Sequence, residues 1–109
     1  MASDLIAVMT TLPDEASAQA LAEHLVHHRW AACVQWHAID SVYEWHGRLQ
    51  CDREWRLLAK CRRADWTAVC DAIRAQHPYE LPAIWCSPIE TSEAYGDWVK
   101  QQTERPEAS

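Results

Sequence analysis

The hydrophobic pattern along the chain changes period several times, and each change marks an element. Leu5-Ile6-Ala7-Val8-Met9 is a continuous apolar run, which predicts a strand covered on both faces. Pro13, Asp14 and Glu15 then form a helix start, since proline suits the first turn and carboxylates favour the positive end of the dipole. Ala18, Leu21, Ala22, Leu25 and Val26 recur at three- and four-residue steps and give that helix one apolar face, ending near Arg29. Residues 32–45 read as a long strand with an irregularity near Asp40-Ser41. His46-Gly47 supplies a turn, and a return strand alternates to about Cys61. A second helix is predicted from about Asp65 to Gln76, with Trp66, Val69, Cys70 and Ile73 on its inner face. Pro78 and Pro82 bracket a rigid connection, Ala83–Cys86 is a fourth strand, and Thr91 or Ser92 caps a last helix carrying Tyr95, Trp98 and Val99.

That order predicts an α+β domain, a ferredoxin-like βαββαβ sandwich with an antiparallel sheet and an extra C-terminal helix. Residues 1–103 are expected to form one domain, and 104–109 a frayed tail. The hairpin strands are longer than such a sandwich needs, since strands cluster near about five or six residues. Their protruding halves would expose Trp45, Trp55 and unpaired backbone edges, so pairing with further copies of the chain is expected.

Composition sharpens this picture in a few places. The chain has 109 residues, seven Trp, three Tyr and no Phe, and Trp is enriched where subunits meet. Its formal net charge is -6, without a basic stripe to follow phosphates, which excludes nucleic acid as an expected partner. No apolar run approaches the roughly 20 residues that span a bilayer, and the start resembles no secretory signal, so no membrane partner and a cytoplasmic location are expected. Five cysteines without a CxxC pair read mostly as small buried hydrophobes.

Four segments carry a family resemblance: Thr11-Leu12-Pro13-Asp14-Glu15 with Ala18 and Ala22, then Ala31-Ala32-Cys33, then Ser41-Val42-Tyr43-Glu44-Trp45-His46-Gly47-Arg48, then His77-Pro78-Tyr79-Glu80-Leu81-Pro82. In this order and spacing, over about residues 5–100, the chain resembles the CutA family, the divalent-cation tolerance proteins. The resemblance implies a ferredoxin-like fold, a homotrimer whose hairpins pair across subunits, association with divalent metals (copper first, zinc second), and a likeness to PII-type signalling proteins. Copper-binding bacterial relatives place Cys on the first strand and a His-His pair before Pro-Tyr; here those positions are Thr10 and Gln76-His77, which weakens that copper site.

Candidate residues follow from both readings. His77 is either a metal ligand or a donor that fastens its turn. Tyr43, Trp45, Lys60 and Tyr79 are candidates to line an interface pocket with His77; Lys60 there needs a carboxylate such as Glu80 or an anionic ligand, and the competing reading is a structural ion pair with aromatic packing. Glu44 and Glu54 read as solvated strand charges. His24, His27 and His28 fall off the apolar stripe, and His24 with His28, one turn apart, can chelate Cu²⁺ or Zn²⁺, or be an incidental surface cluster. No phosphate loop, GxSxG or HExxH occurs, so enzymatic activity and an organic cofactor are not expected. The function expected is divalent metal (copper) binding and tolerance by a non-enzymatic homotrimer. The alternatives are a PII-like module binding a small anionic ligand between subunits for an unknown signalling partner, or a structural scaffold.

Overall fold

The computed structural model describes residues 3–106. In chain order it contains β1 (Leu5–Leu12), α1 (Glu15–His27), β2 (Ala31–Trp45), β3 (Arg48–Arg62), a 3-10 turn (Arg63–Asp65), α2 (Trp66–Gln76), β4 (Ile84–Ile89) and α3 (Glu93–Gln102). The four strands form one antiparallel sheet in the order β2-β3-β1-β4. This is the expected split βαβ topology, with β1 central because its residues are apolar on both faces.

Alternation along β1 divides the core. Ile6, Val8 and Leu12 pack with Leu57, Ala59 and Cys61 of β3 and with Leu21, Leu25, Val69 and Ile73 from α1 and α2. Leu5, on the opposite face, packs with Ala32, Val99 and Ile89, so α3 covers the other side of the sheet at that end. Each fully buried Leu, Ile or Val of this kind is worth about 1.5–3 kcal/mol.

The helix ends explain themselves locally. Asp14 caps α1 by accepting from the Ser17 N–H at 2.7 Å, which also holds its carboxyl below the ordinary aspartate pKa. At the other end Trp30 N–H donates to Leu25 O at 2.9 Å and Arg29 N–H to Val26 O at 3.1 Å, with Arg29 at φ 62. That is a Schellman closure with arginine where glycine is usual. Ser92 caps α3 through the Tyr95 N–H.

The hairpin is the largest departure from a compact sandwich. β1 reaches only to Leu12 opposite Trp55, so Arg48–Glu54 of β3 have β2 as their sole partner. His46 and Gly47 close the ribbon at φ 52 and 74, the paired positive values of a type I′ turn. The projection raises the radius of gyration to 14.8 Å, against about 13 Å expected for a compact chain of this size.

Three local expectations are corrected. The irregularity of β2 lies at Ala31/Cys33, and pairing from Cys33 to Trp45 is unbroken through Asp40-Ser41. Trp45 is exposed, whereas Trp55 is half-buried against the core, beneath the supported part of the sheet. β4 continues past Cys86 to Ile89, because Pro88 on an edge strand need not donate. Part of the expected tail makes contacts with the domain. Arg105 donates to Arg29 O at 2.9 Å, pairs with Asp65 at 2.6 Å and lies 4.1 Å from the centroid of the Trp30 ring. Residues 107–109 of the expected tail lie outside the described residues.

Among the cysteines, Cys61 is buried, Cys33, Cys70 and Cys86 are half-buried, and Cys51 is exposed on the ribbon. Burial pushes the Cys61 thiol up to about 12, which makes it a packing group and not a nucleophile.

Candidate functional site

Two groups of side chains have the chemistry to bind something: a cleft at the base of the ribbon and a histidine cluster at the end of α1. The cleft exists because β1 stops at Leu12 while β2 and β3 continue, which leaves space that the α2–β4 connection folds across. It encloses about 430 Å³. Tyr43 and Trp45 wall it from β2, Glu54 from β3, and Pro78, Tyr79, Glu80 and Leu81 from the connection.

Two phenol–carboxylate bonds organise the cleft. Tyr79 Oη donates to Glu54 Oε2 at 2.8 Å, and Tyr43 Oη donates to Asp52 Oδ2 at 2.7 Å. Both phenols titrate above the ordinary tyrosine range, Tyr79 chiefly through burial and Tyr43 chiefly through its bond to Asp52. Glu54 is only 8% exposed, which corrects its reading as a solvated strand charge; Glu44 is exposed as expected.

His77 stands behind this wall. Its Nε2–H donates to Thr11 O at 2.8 Å and lies 3.1 Å from Thr10 Oγ1, while its Nδ1 accepts from the Tyr79 N–H at 3.1 Å. Both nitrogens are therefore occupied, and no lone pair remains for a metal in this conformation. Of the two readings of His77, this geometry is that of the turn fastener. Burial holds its pKa below the ordinary histidine value, partly opposed by the Thr11 carbonyl and Glu54.

Lys60 is not part of the cleft. It sits opposite Ala7 and Cys33, well down the supported sheet, and its Nζ donates to Gln35 Oε1. The pairing with Glu80 is absent, and within one chain Lys60 stands apart from Tyr43, Trp45 and Tyr79. The twist and length of the ribbon separate residues that share a strand face.

The histidines of α1 do converge. The rings of His24 and His28 lie 4.3 Å apart between centroids, and those of His27 and His28 5.1 Å. Partial burial, then the neighbouring His28 and His27, lower the pKa of His24. No third ligand joins them: among the described residues no group of three or more His, Cys, Asp or Glu is placed to hold a metal ion. A single chain thus offers an open pair of imidazoles, not a closed metal site.

Fold and cleft together define a class, the ferredoxin-like sandwiches with a protruding β-ribbon and a ligand-sized recess at its base. The chain belongs to the CutA1 divalent ion tolerance protein family, whose profile matches residues 6–102. It is 36% identical over 100 residues to human protein CutA, covering 90% of this chain and 56% of that one. It is likewise 36% identical to the divalent-cation tolerance protein CutA of Thermus thermophilus, covering 88% and 95%. The chain therefore spans about half the length of its plant and human relatives but nearly all of the bacterial one. Among solved structures, CutA1 from Pyrococcus horikoshii superposes with a TM-score of 0.89 at 31% identity, covering 92% of this chain and 99% of that one. CutA from Synechococcus elongatus superposes at 0.90 and 30% identity, covering 95% of each.

Proposed function

We propose that the chain acts as a homotrimeric, non-enzymatic divalent-cation tolerance protein in which the metal is cargo, Cu²⁺ preferred over Zn²⁺, held at His24 and His28. Family membership supports divalent cations as the subject of its function. The observation that carries the proposed contact is the 4.3 Å approach of the two rings in the last turn of α1. Imidazole nitrogens suit copper, and the carbonyl-rich C-terminal end of a helix favours a cation. Two protein ligands leave the remaining positions to water, which favours exchange over permanent retention. Trimer formation is supported by the unpaired ribbon edges and the apolar side chains on them. The PII-like alternative has less support, because Lys60 is remote and Glu54 and Glu80 make the cleft acidic.

Titration with Cu²⁺, followed by electron paramagnetic resonance of the bound ion, tests the proposal. The wild type and His77→Ala should give the same nitrogen-ligated signal, and the double variant His24→Ala/His28→Ala should lose it. Retention of the signal by the double variant, or its loss in His77→Ala, overturns the assignment.

A further inference from the structure

We propose that the cleft at the base of the ribbon binds a small organic cation, an alkylammonium group seated among Tyr43, Trp45 and Tyr79 and neutralised by Glu54 and Glu80. Three observations carry this. First, the lining is one-signed: Glu54 and Glu80 line the recess, and among the described residues no Lys, Arg or His does. Among the described residues neither Glu54 nor Glu80 is in an ion pair. Second, Glu54 is more than nine-tenths buried with, among the described residues, a single hydrogen-bond partner, the Tyr79 hydroxyl on Oε2. A buried carboxylate with no counter-charge is costly, and a cation in the cleft would compensate it. Third, three aromatic residues line the recess, and the two tyrosines offer no free phenol donor. Both tyrosine hydroxyls spend their protons on carboxylates, so neither is left to donate to an anion. Ring faces attract cations, by about 0.5–1 kcal/mol when exposed and about 2 kcal/mol or more when desolvated.

The volume agrees with a small ligand. About 430 Å³ falls within the roughly 300–1,000 Å³ usual for such sites. A divalent metal is a poorer occupant, because among the described residues only two carboxylates line the cleft and no third ligand of the His, Cys, Asp or Glu type joins them. The site lies on β2, β3 and the α2–β4 connection, apart from the histidines of α1, so its failure would leave the proposed metal contact untouched.

The experiment uses the full chain in its native assembly. Tetramethylammonium and 1,4-diaminobutane are titrated while the tryptophan indole N–H resonances are followed by NMR, with the Trp45 signal assigned from Trp45→Phe. Neutral tert-butanol, inorganic phosphate and Zn²⁺ are run as competing probes. Both cations should shift the Trp45 signal saturably, and Glu54→Gln should weaken them about tenfold, the scale of one charge-assisted contact. Glu80 is exposed, so Glu80→Gln gives a weakening that a folding defect cannot mimic and decides the matter if Glu54→Gln does not fold. The proposal is overturned if tert-butanol, phosphate or Zn²⁺ acts as strongly as the cations, or if Glu80→Gln binds them unchanged. A crystal structure of the assembly with a sister chain's lysine or arginine in the cleft would overturn it as well.

Discussion

At the scale of single residues, His77 shows how a position with metal-ligand chemistry becomes a structural fastener. Its ring joins the end of β1 to the α2–β4 connection, and Thr10, wholly buried, has its hydroxyl 3.1 Å from the same nitrogen. His77→Ala should lower the unfolding free energy by about 1–3 kcal/mol, read by urea denaturation, because buried polar groups lose their partner. The pH dependence has a definite sign. His77 and His24 both titrate below their ordinary 6.5 in the folded chain. As the pH falls below 6.5 the unfolded chain takes up protons first, so stability is full above that value and declines below it. The thermal midpoint should drop between about pH 7.5 and about pH 5.5, and drop less in His77→Ala; an equal drop would remove His77 from the account. The residue type was readable in His-Pro-Tyr. Its partners were not, since a carbonyl 66 positions earlier leaves no mark in local pattern. Glu54 was misread for the same reason: only the chain crossing above it, with Tyr79, makes it a buried group.

At the scale of elements, the sequence was legible wherever a period ran undisturbed. The strand–helix alternation, the His46-Gly47 turn and the Ser92 cap are all local chemistry, and the structure contains them. It was less legible where one residue overrides its surroundings. The expected fourth strand stopped at Cys86, short of Ile89, and the bulge at Ala31/Cys33 has no signature in residue type. Gly96 is a similar case, a glycine inside a helix where alanine would ordinarily gain about 1 kcal/mol. A Cβ there would stand 2.6 Å from Thr91 Oγ1, while Leu5 Cδ1 at 3.7 Å is an ordinary contact. Gly96→Ala should therefore fail to stabilise the wild type, yet raise the thermal midpoint when introduced into Thr91→Ala. A double-mutant cycle measures this coupling, and equal effects in both backgrounds would disprove it.

At the scale of the molecule, the ribbon sets the shape and, on the present proposal, the assembly. Val42 and Leu49 share one face of it and are 65% and 77% exposed, with Cys51 directly opposite Val42. Val42→Lys/Leu49→Lys removes apolar surface without touching the core. The variant should keep its far-ultraviolet circular dichroism and fall to the single-chain mass in light scattering. An undissociated variant would place the subunit contact elsewhere. The excess strand length that announced this surface was already visible in the spacing between Ala31 and Cys61, because a count of residues needs no knowledge of neighbours. The sheet order has a further consequence, in time. β2 and β3 are adjacent in the chain and pair as soon as both exist, whereas Leu5 must wait for Arg62 on one side and Ile89 on the other. Such distant pairings close slowly compared with a hairpin. During refolding the ribbon is thus expected to form early and be shielded late, with an aggregation-prone interval between its closure and the arrival of β4.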